Sequence, residues 1–212
     1  MQKAILFDFD STLTRLYCDW DSLKLKLQKQ LPEIDTRLGN FEYFTQVHKK
    51  YHSMPKNRSM TIARMITMAE NQALKKAKLF TEVRPVLKSL KNDYKFAIVS
   101  GNSETTIKKA LRKFRLDSYI KVVSGMQAGL PKPNPDALLR AMEKLKVSSE
   151  NVVYIGDRPT DILAAQKANI KAIGVITGKF NMHTLLNCGA LSVIENLSFL
   201  PETLERVFDG KK

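Results

Sequence analysis

Short hydrophobic runs alternate with helical patterns over most of the chain. The runs have the length of buried strands and lie at residues 4–9, 95–100, 120–124, 152–156, 172–176 and 191–194. Hydrophobic residues at helical spacing predict helices at residues 85–90, 105–114, 135–145, 161–168 and 197–208. Because strands that alternate with helices form right-handed crossovers, the pattern predicts a parallel sheet with helices packed against it.

Residues 16–80 have a different pattern. β-branched runs are almost absent there, and leucine, lysine, glutamine and methionine recur at helical spacing. Three helices are expected in this segment, separated near Pro32 and Pro55. We therefore predict a doubly wound, Rossmann-like α/β core formed by residues 1–15 and 81–212, with an all-helical cap domain inserted at 16–80.

The composition is ordinary for a folded protein, with 43% hydrophobic and 26% charged residues. No hydrophobic run approaches the roughly 20 residues that span a bilayer, and the first strand pattern begins without a leader. We expect a cytoplasmic monomer or homodimer with no membrane partner. The net charge of +14 attracts anions, either nucleic acids or small phosphates. Because the lysines lack interleaved aromatic residues, a nucleic-acid site is the less favoured alternative.

Polar side chains follow four of the predicted strands. They are Asp8 and Asp10 after the first strand, Ser100, Gly101 and Asn102 after the second, Lys132 after the third, and Asp157 and Asp161 after the fourth. In open parallel sheets, ligands bind beyond the carboxyl ends of the strands. We therefore expect these residues to converge on one site.

Converging carboxylates repel one another and need cations nearby. Mg²⁺, which prefers oxygen ligands, would supply two positive charges, and Lys132 would supply a third. A phosphate group could then approach the site. Asp8 and Asp10 lie two residues apart, so a strand would direct their side chains similarly. One carboxylate could attack phosphorus while the other transfers a proton, which is chemistry suited to phosphoryl transfer.

Four segments, in order, resemble the motifs of the haloacid dehalogenase-like hydrolase superfamily. They are Asp8-Phe9-Asp10-Ser11-Thr12, Val99-Ser100-Gly101-Asn102, Pro131-Lys132-Pro133-Asn134-Pro135 and Ile155-Gly156-Asp157-Arg158-Pro159-Thr160-Asp161. The stretch 95–178 looks most like the phosphoglycolate phosphatase branch. The insertion after the first strand is similar to the helical cap of the first type found in that superfamily.

The resemblance implies a role for each motif residue. Asp8 would be the nucleophile that forms an aspartyl phosphate, and Asp10 would act as general acid and then as general base. The Mg²⁺ site would be formed by Asp8, the Asp10 backbone carbonyl, Asp157 and, directly or through water, Asp161. The substrate phosphate would be bound by Ser100, Gly101, Asn102 and Lys132, and Lys132 would also stabilise the transferring group.

The motifs leave the substrate open. Ser11, where many relatives carry glycine, also resembles phosphoserine phosphatases, whereas the segments around Lys132 and Arg158 look more like the phosphoglycolate group. We predict a Mg²⁺-dependent phosphatase of a small anionic phosphorylated metabolite. Phosphoserine phosphatase, pyrophosphatase and sugar phosphomutase activities of the same superfamily are the alternatives. In the cap, Arg58 is one candidate for contacting the substrate, while His48 and His52 lack the spacing of a metal site or a catalytic triad.

Overall fold

The computed structural model describes residues 2–209 and has a six-stranded parallel sheet at its centre. The strands of the chain are β1 (Lys3–Phe7), β2 (Thr14–Arg15), β3 (Lys78–Leu79), β4 (Tyr94–Val99), β5 (Ile120–Ser124), β6 (Val152–Gly156), β7 (Lys171–Val175) and β8 (Ser192–Ile194). The short strands β2 and β3 form a separate two-stranded sheet. The sheet order is β5-β4-β1-β6-β7-β8, and β1 pairs in parallel with both β4 and β6. The predicted doubly wound α/β fold is confirmed.

The helices match the predicted pattern with one addition. They are α1 (Trp20–Gln28), α2 (Asn40–Ser53), α3 (Lys56–Leu74), α4 (Val83–Leu90), α5 (Glu104–Lys113), α6 (Asp136–Leu145), α7 (Pro159–Lys167), α8 (Met182–Asn187) and α9 (Leu200–Asp209). The sequence analysis did not predict α8, whose 6 residues are too few for a periodic pattern.

Hydrophobic side chains cover both faces of the sheet. Along β1, Ile5 and Phe7 pack into one cluster with residues of α4, α5 and α9, and Ala4 and Leu6 pack into a second cluster with α6, α7 and α8. Successive strand residues point to opposite faces, so a strand buried on both sides reads as a continuous hydrophobic run. This burial fixes the register that brings the strand ends together.

The helices α1, α2 and α3 form an insertion between β2 and β3, which we call the helical insertion. β2 and β3 pair in an antiparallel manner, with Thr14 opposite Leu79. The insertion has its own hydrophobic cluster, which includes Ile62 and Ile66 of α3. Ala73 and Leu74, at the end of α3, instead pack with the sheet residues. The helix α3 is therefore shared between the two hydrophobic clusters.

The predicted boundaries at residues 15–16 and 80–81 fall close to this short antiparallel pair, and the division into core and cap domains remains a prediction. Within residues 2–209, no helix combines the length and the hydrophobicity that a membrane span requires. The cytoplasmic location and the oligomeric state also remain predictions from the sequence.

Candidate active site

A tight turn after β1 carries Asp8 and Asp10. Ser11 has a φ of 67°, in the left-handed region that favours glycine. Two hydrogen bonds hold this conformation: the Ser11 N–H donates to the Thr14 carbonyl at 2.6 Å, and Thr177 Oγ1 donates to the Ser11 carbonyl at 2.5 Å. The Asp10 carboxylate accepts the backbone N–H of Leu16 at 2.8 Å. The turn thus fixes the Asp10 side chain in one orientation.

Three carboxylates converge at the carboxyl ends of β1 and β6. One oxygen from each of Asp8, Asp157 and Asp161 lies within 4.8 Å of the others. All three residues are buried, with exposures of 4%, 1% and 0%. Buried carboxylates in this number require either bound protons or cations.

Lys132 supplies one of those cations. Its Nζ donates to Asp8 Oδ1 at 2.8 Å and also to Asp161 Oδ1. Burial opposes the lysine charge, but Asp161 and Asp8 outweigh it and raise the pKa of Lys132. The structure therefore brings together Lys132 and the three aspartates that the sequence placed at separate strand ends.

The hydroxyl of Tyr154 is a part of the site that the sequence analysis missed. It accepts a hydrogen bond from Lys132 Nζ at 2.8 Å, donates to the Val99 carbonyl at 2.8 Å and lies 3.2 Å from Asp161 Oδ1. Burial and the nearby aspartates raise the pKa of Tyr154, so its hydroxyl keeps its proton. Tyr154 fixes the lysine amine in position from the interior of β6, where a tyrosine in a hydrophobic run gives no sign of a site.

Arg158 is a second cation beside the cluster, and the sequence analysis gave it no role. Its Nε lies 3.9 Å from Asp157 Oδ2, and its guanidinium carbon lies 5.7 Å from the ring centre of Phe41 on α2. Burial opposes its charge, but Asp157, Asp8 and Asp161 together raise the pKa of the guanidinium. The side chain is 37% exposed, so it lies between the carboxylates and the helical insertion with one side open.

Burial and mutual repulsion raise the pKa of Asp157 and of Asp10. Burial is the main cause that raises the pKa of Asp157 to about 8, and the charges of Asp161 and Asp8 add to it. Burial likewise raises the pKa of Asp10 to about 6, although the hydrogen bond from Leu16 opposes the shift. Asp157 therefore holds a proton at neutral pH, and its place beside the oxygens of Asp8 and Asp161 fits a hard divalent cation such as Mg²⁺, which would replace that proton.

Two glycines allow the carboxylates to approach the backbone closely. A Cβ atom at Gly156 would lie 2.5 Å from the Asp161 carboxyl group, and one at Gly178 would lie 1.9 Å from Asp157 Oδ2. No side chain fits at either position. Thr12 Oγ1 also donates to Asp157 Oδ1, at 3.4 Å. The position of Asp157 is therefore set by the turns after β1 and β7.

The residues predicted to bind phosphate, Ser100, Gly101 and Asn102, lie in the loop between β4 and α5. Ser100 Oγ donates to Asn102 Oδ1 at 3.0 Å, and both residues are buried. α5 begins immediately afterwards, with Ser103 as its N-cap. Backbone N–H groups that precede a helix are suited to binding an anion. Phe7 pairs with Ile98, so the sheet register places this loop beside Asp8.

Two histidines of α2 connect the helical insertion to the segment that follows β5. Nε2 of His48 lies 2.7 Å from the Met126 carbonyl, and Nε2 of His52 lies 3.1 Å from the same oxygen. Burial lowers the pKa of His48 to about 4, so it is a neutral donor at physiological pH. The histidines therefore hold α2 against the segment after β5.

Arg58, a predicted candidate for contacting the substrate, donates to the Gln30 carbonyl within the helical insertion.

Comparison with known proteins decides the family. Residues 5–175 match the family described as haloacid dehalogenase-like hydrolase. The chain belongs to this family. The four motifs of this haloacid dehalogenase-like hydrolase therefore predicted its family correctly.

The relatives of this haloacid dehalogenase-like hydrolase include several phosphatases. The phosphorylated carbohydrates phosphatase of Thermotoga maritima is 26% identical over 95% of this chain and 100% of its own. A phosphoglycolate phosphatase of Aquifex aeolicus is 27% identical over 86% of this chain and 88% of its own. The putative pyrophosphatase PpaX of Caldanaerobacter subterraneus is 36% identical, but the match spans only 46% of each chain. The predicted resemblance to the phosphoglycolate phosphatase branch agrees with these relatives.

Solved structures share the fold of the whole chain. A hydrolase from Pseudomonas syringae superposes with a TM-score of 0.73 at 22% identity, covering 96% of this chain and 99% of its own. At this level of identity, the comparison shows that the two chains share a fold.

Mg²⁺ is expected to raise the melting temperature more at pH 8 than at pH 6, by about 3 °C or more. Because folding raises the pKa of Asp157 from 3.8 to about 8, this residue holds a proton in the metal-free folded chain that it has lost in the unfolded chain between these pH values. The contribution of Asp157 to the free energy of unfolding therefore falls as the pH rises from about 4 to about 8. Mg²⁺ competes with fewer protons at the higher pH and stabilises the fold more.

Thermal unfolding with Mg²⁺ and with EDTA at both pH values measures this difference. Asp157→Asn is the matched control, because it should remove most of the pH dependence of the Mg²⁺ effect. An equal Mg²⁺ effect at both pH values in the unaltered chain would contradict the prediction.

Proposed function

We propose that the chain is a Mg²⁺-dependent phosphatase that hydrolyses a small anionic phosphomonoester through an aspartyl phosphate on Asp8. The observation that carries the proposal is the buried cluster of Asp8, Asp157 and Asp161, with Lys132 between Asp8 and Asp161. The names of the relatives with high coverage, phosphoglycolate phosphatase and phosphorylated carbohydrates phosphatase, support a phosphorylated metabolite as substrate.

In this proposal the reaction has two displacements at phosphorus. An Asp8 oxygen forms a bond to phosphorus while the bond to the leaving oxygen breaks, and Asp10 gives its proton to the leaving alkoxide. Asp10 then takes a proton from water, whose oxygen attacks the phosphorus and releases Asp8 and inorganic phosphate. The pKa of Asp10, about 6, suits a group that must both give and take a proton.

Lys132 and the loop after β4 would hold the transferring phosphoryl group. Lys132 balances the charge of Asp8 in the resting site and would stabilise the phosphate oxygens during transfer. The Gly101 N–H would donate to a remaining phosphate oxygen. Ser100 and the Asn102 N–H bond Asn102 Oδ1 and Ser100 Oγ in this structure, and both would turn to the phosphate when it binds. Mg²⁺ held by Asp8, Asp10, Asp157 and Asp161 would neutralise negative charge on the phosphate when bound.

The position of Arg158 favours a substrate whose leaving group carries a negative charge. Its guanidinium lies between the carboxylates and Phe41 of the helical insertion, with part of the side chain open. In this proposal the insertion acts as a cap that covers the leaving group and excludes water. A carboxylate or second phosphate on the substrate would then meet Arg158, which fits a phosphorylated acid or pyrophosphate.

Release of inorganic phosphate from a panel of metabolites with Mg²⁺ tests the proposal. The panel compares phosphoglycolate, phosphoserine, pyrophosphate, a sugar phosphate, a nucleotide and 4-nitrophenyl phosphate by kcat/KM. We expect the small anionic monoesters to be the best substrates. Arg158→Gln should lower their kcat/KM by about tenfold, because a charged hydrogen bond is lost, and should change that of 4-nitrophenyl phosphate much less.

Other outcomes of the panel would favour the alternatives. Interconversion of sugar phosphates without phosphate release would favour a phosphomutase. No hydrolysis of any ester, combined with polynucleotide binding that weakens steeply with salt, would favour a nucleic-acid-binding protein. Either result would contradict the proposed phosphatase.

A further inference from the structure

Glu70 is a fully buried carboxylate on α3, outside all four motifs, with an exposure of 0%. Its Oε1 accepts the side-chain N–H of Asn102 at 2.8 Å. Its Oε2 accepts the backbone N–H of Ser103 at 3.0 Å and the Ser103 hydroxyl at 2.7 Å. Burying a carboxylate is unfavourable unless donors surround it, and here the donors come from the loop between β4 and α5 and from the start of α5.

The bonds continue from Glu70 to Ser100. Asn102 turns its NH₂ group toward Glu70, which leaves its carbonyl oxygen facing Ser100 Oγ at 3.0 Å. An amide has one donor side and one acceptor side, so an acceptor at Glu70 fixes which side Ser100 meets. Without that acceptor, the amide could rotate and present its NH₂ group to Ser100. The Ser100 hydroxyl would then lose its fixed orientation.

We propose that Glu70 is a positioning residue that fixes Asn102 and Ser103, and through Asn102 the oxygen of Ser100, and so holds the loop in the conformation that binds phosphate. This inference rests on the proposed function, because it assumes that Ser100 and Asn102 contact the substrate phosphate. It also assigns the Ser103 N–H to Glu70, whereas the Asn102 N–H donates to Ser100 Oγ at 3.4 Å, so the Gly101 N–H is the backbone donor that this loop offers to the ligand.

The position of Glu70 links the loop to the helical insertion. α3 packs with the insertion through Ile62 and Ile66, and with the sheet through Leu74. Lys113 Nζ, at the end of α5, donates to the Leu74 carbonyl at 2.5 Å and to the Lys75 carbonyl at 3.0 Å. Glu70 and these carbonyls tie α3 to both ends of α5. A shift of α3 would therefore move the acceptor that orients the loop.

Glu70→Gln tests the inference because glutamine has one acceptor oxygen where Glu70 has two, so it cannot keep the bond from Asn102 together with both bonds from Ser103. We expect the Kd for inorganic phosphate with Mg²⁺, measured by titration calorimetry, and the KM for the best monoester to rise about tenfold. kcat should change by less than about threefold, because the groups that make and break bonds are intact.

Glu104→Gln is the matched control. It removes a negative charge from the first turn of the same helix α5, where Glu104 pairs with Lys108 at 3.2 Å, and leaves the bonds of Asn102 unchanged. The sign of the effect separates positioning from charge. If Glu70 acted only by repelling anions, Glu70→Gln would bind phosphate more tightly than the unaltered chain. Tighter binding, or unchanged binding with a lower melting temperature, would overturn the inference.

The double variant Glu70→Gln/Asn102→Ala tests the path through Asn102. If Glu70 acts through this side chain, the double variant should bind phosphate no more weakly than Asn102→Ala alone. Additive losses would overturn the path. Should Glu70→Gln fail to fold by circular dichroism, Asn102→Ala alone decides, because Glu70 keeps its bonds to Ser103. Normal phosphate affinity in that variant would overturn the inference.

The behaviour of the unaltered chain distinguishes failure of the proposed function from failure of the role of Glu70. If it neither binds inorganic phosphate nor hydrolyses monoesters, the proposed function fails, and the role of Glu70 fails with it. If it does both and Glu70→Gln behaves as the unaltered chain does, only the role of Glu70 fails.

Discussion

Asp8→Asn is expected to reduce phosphoester turnover by about 10³-fold or more and to leave the chain folded. A carboxamide cannot form the aspartyl phosphate, so the proposed pathway is lost at its first step. The fold should persist because asparagine has nearly the same volume and still offers an oxygen to Lys132. The backbone N–H of residue 8 also keeps its bond to the Ile155 carbonyl at 2.8 Å.

Phosphate release and far-UV circular dichroism of the variant measure the two halves of this prediction. Asp93→Asn is a suitable control, because Asp93 is exposed and directly precedes β4. It therefore lies at the amino-terminal ends of the strands, away from Asp8 at their carboxyl ends. This control variant should retain full activity. Turnover by Asp8→Asn near that of the unaltered chain would exclude Asp8 as the nucleophile.

Lys132→Met should lower both activity and stability. It removes the cation between Asp8 and Asp161, which are nearly or fully buried, and breaking such a pair costs about 3–5 kcal/mol of stability. Loss of Lys132 raises the pKa of Asp161 further, because the lysine charge lowers it. The folded variant would hold more protons than its unfolded form at neutral pH, so its stability should fall as the pH rises. kcat/KM should fall by about 10²-fold or more.

Urea unfolding at pH 6 and pH 8, with and without Mg²⁺, measures the loss of stability. The destabilisation should be larger at pH 8, and Mg²⁺ should restore part of it by supplying positive charge to the same carboxylates. Lys121→Met, an exposed position on β5, controls for the general loss of a positive charge. If Lys132→Met matched Lys121→Met at pH 8 without Mg²⁺, Lys132 would not be the charge partner of the cluster.

The sequence predicted the features of this molecule that are local in the chain. The hydrophobic runs were sufficient for the sheet because its central strands β1, β4, β6 and β7 are buried on both faces. Asp8 and Asp157 were recognisable because each lies beside its strand end. β2 and β3, of 2 residues each, are too short to leave a pattern. Such short strands form only because their partner is held nearby.

The parts of the site that the sequence could not predict depend on distant partners. Tyr154 lies 22 residues from Lys132, and its hydroxyl acquires a role only when β6 and the loop after β5 meet. Glu70 lies 32 residues from Asn102, on a helix whose other polar residues are partly or fully exposed. A buried glutamate in a helical pattern reads as a polar position until the packing of α3 against α5 is known.

The antiparallel pair of β2 and β3 has a consequence for how such a protein can diversify. Thr14 and Leu79 lie opposite each other, so the chain leaves the sheet and returns to it at neighbouring points. Segments of very different length can be exchanged between such points during evolution while the catalytic scaffold stays closed. The final turn of α3 sets the limit of this exchange: Ala73 and Leu74 are packed with the sheet, so a transplanted segment would have to end before them.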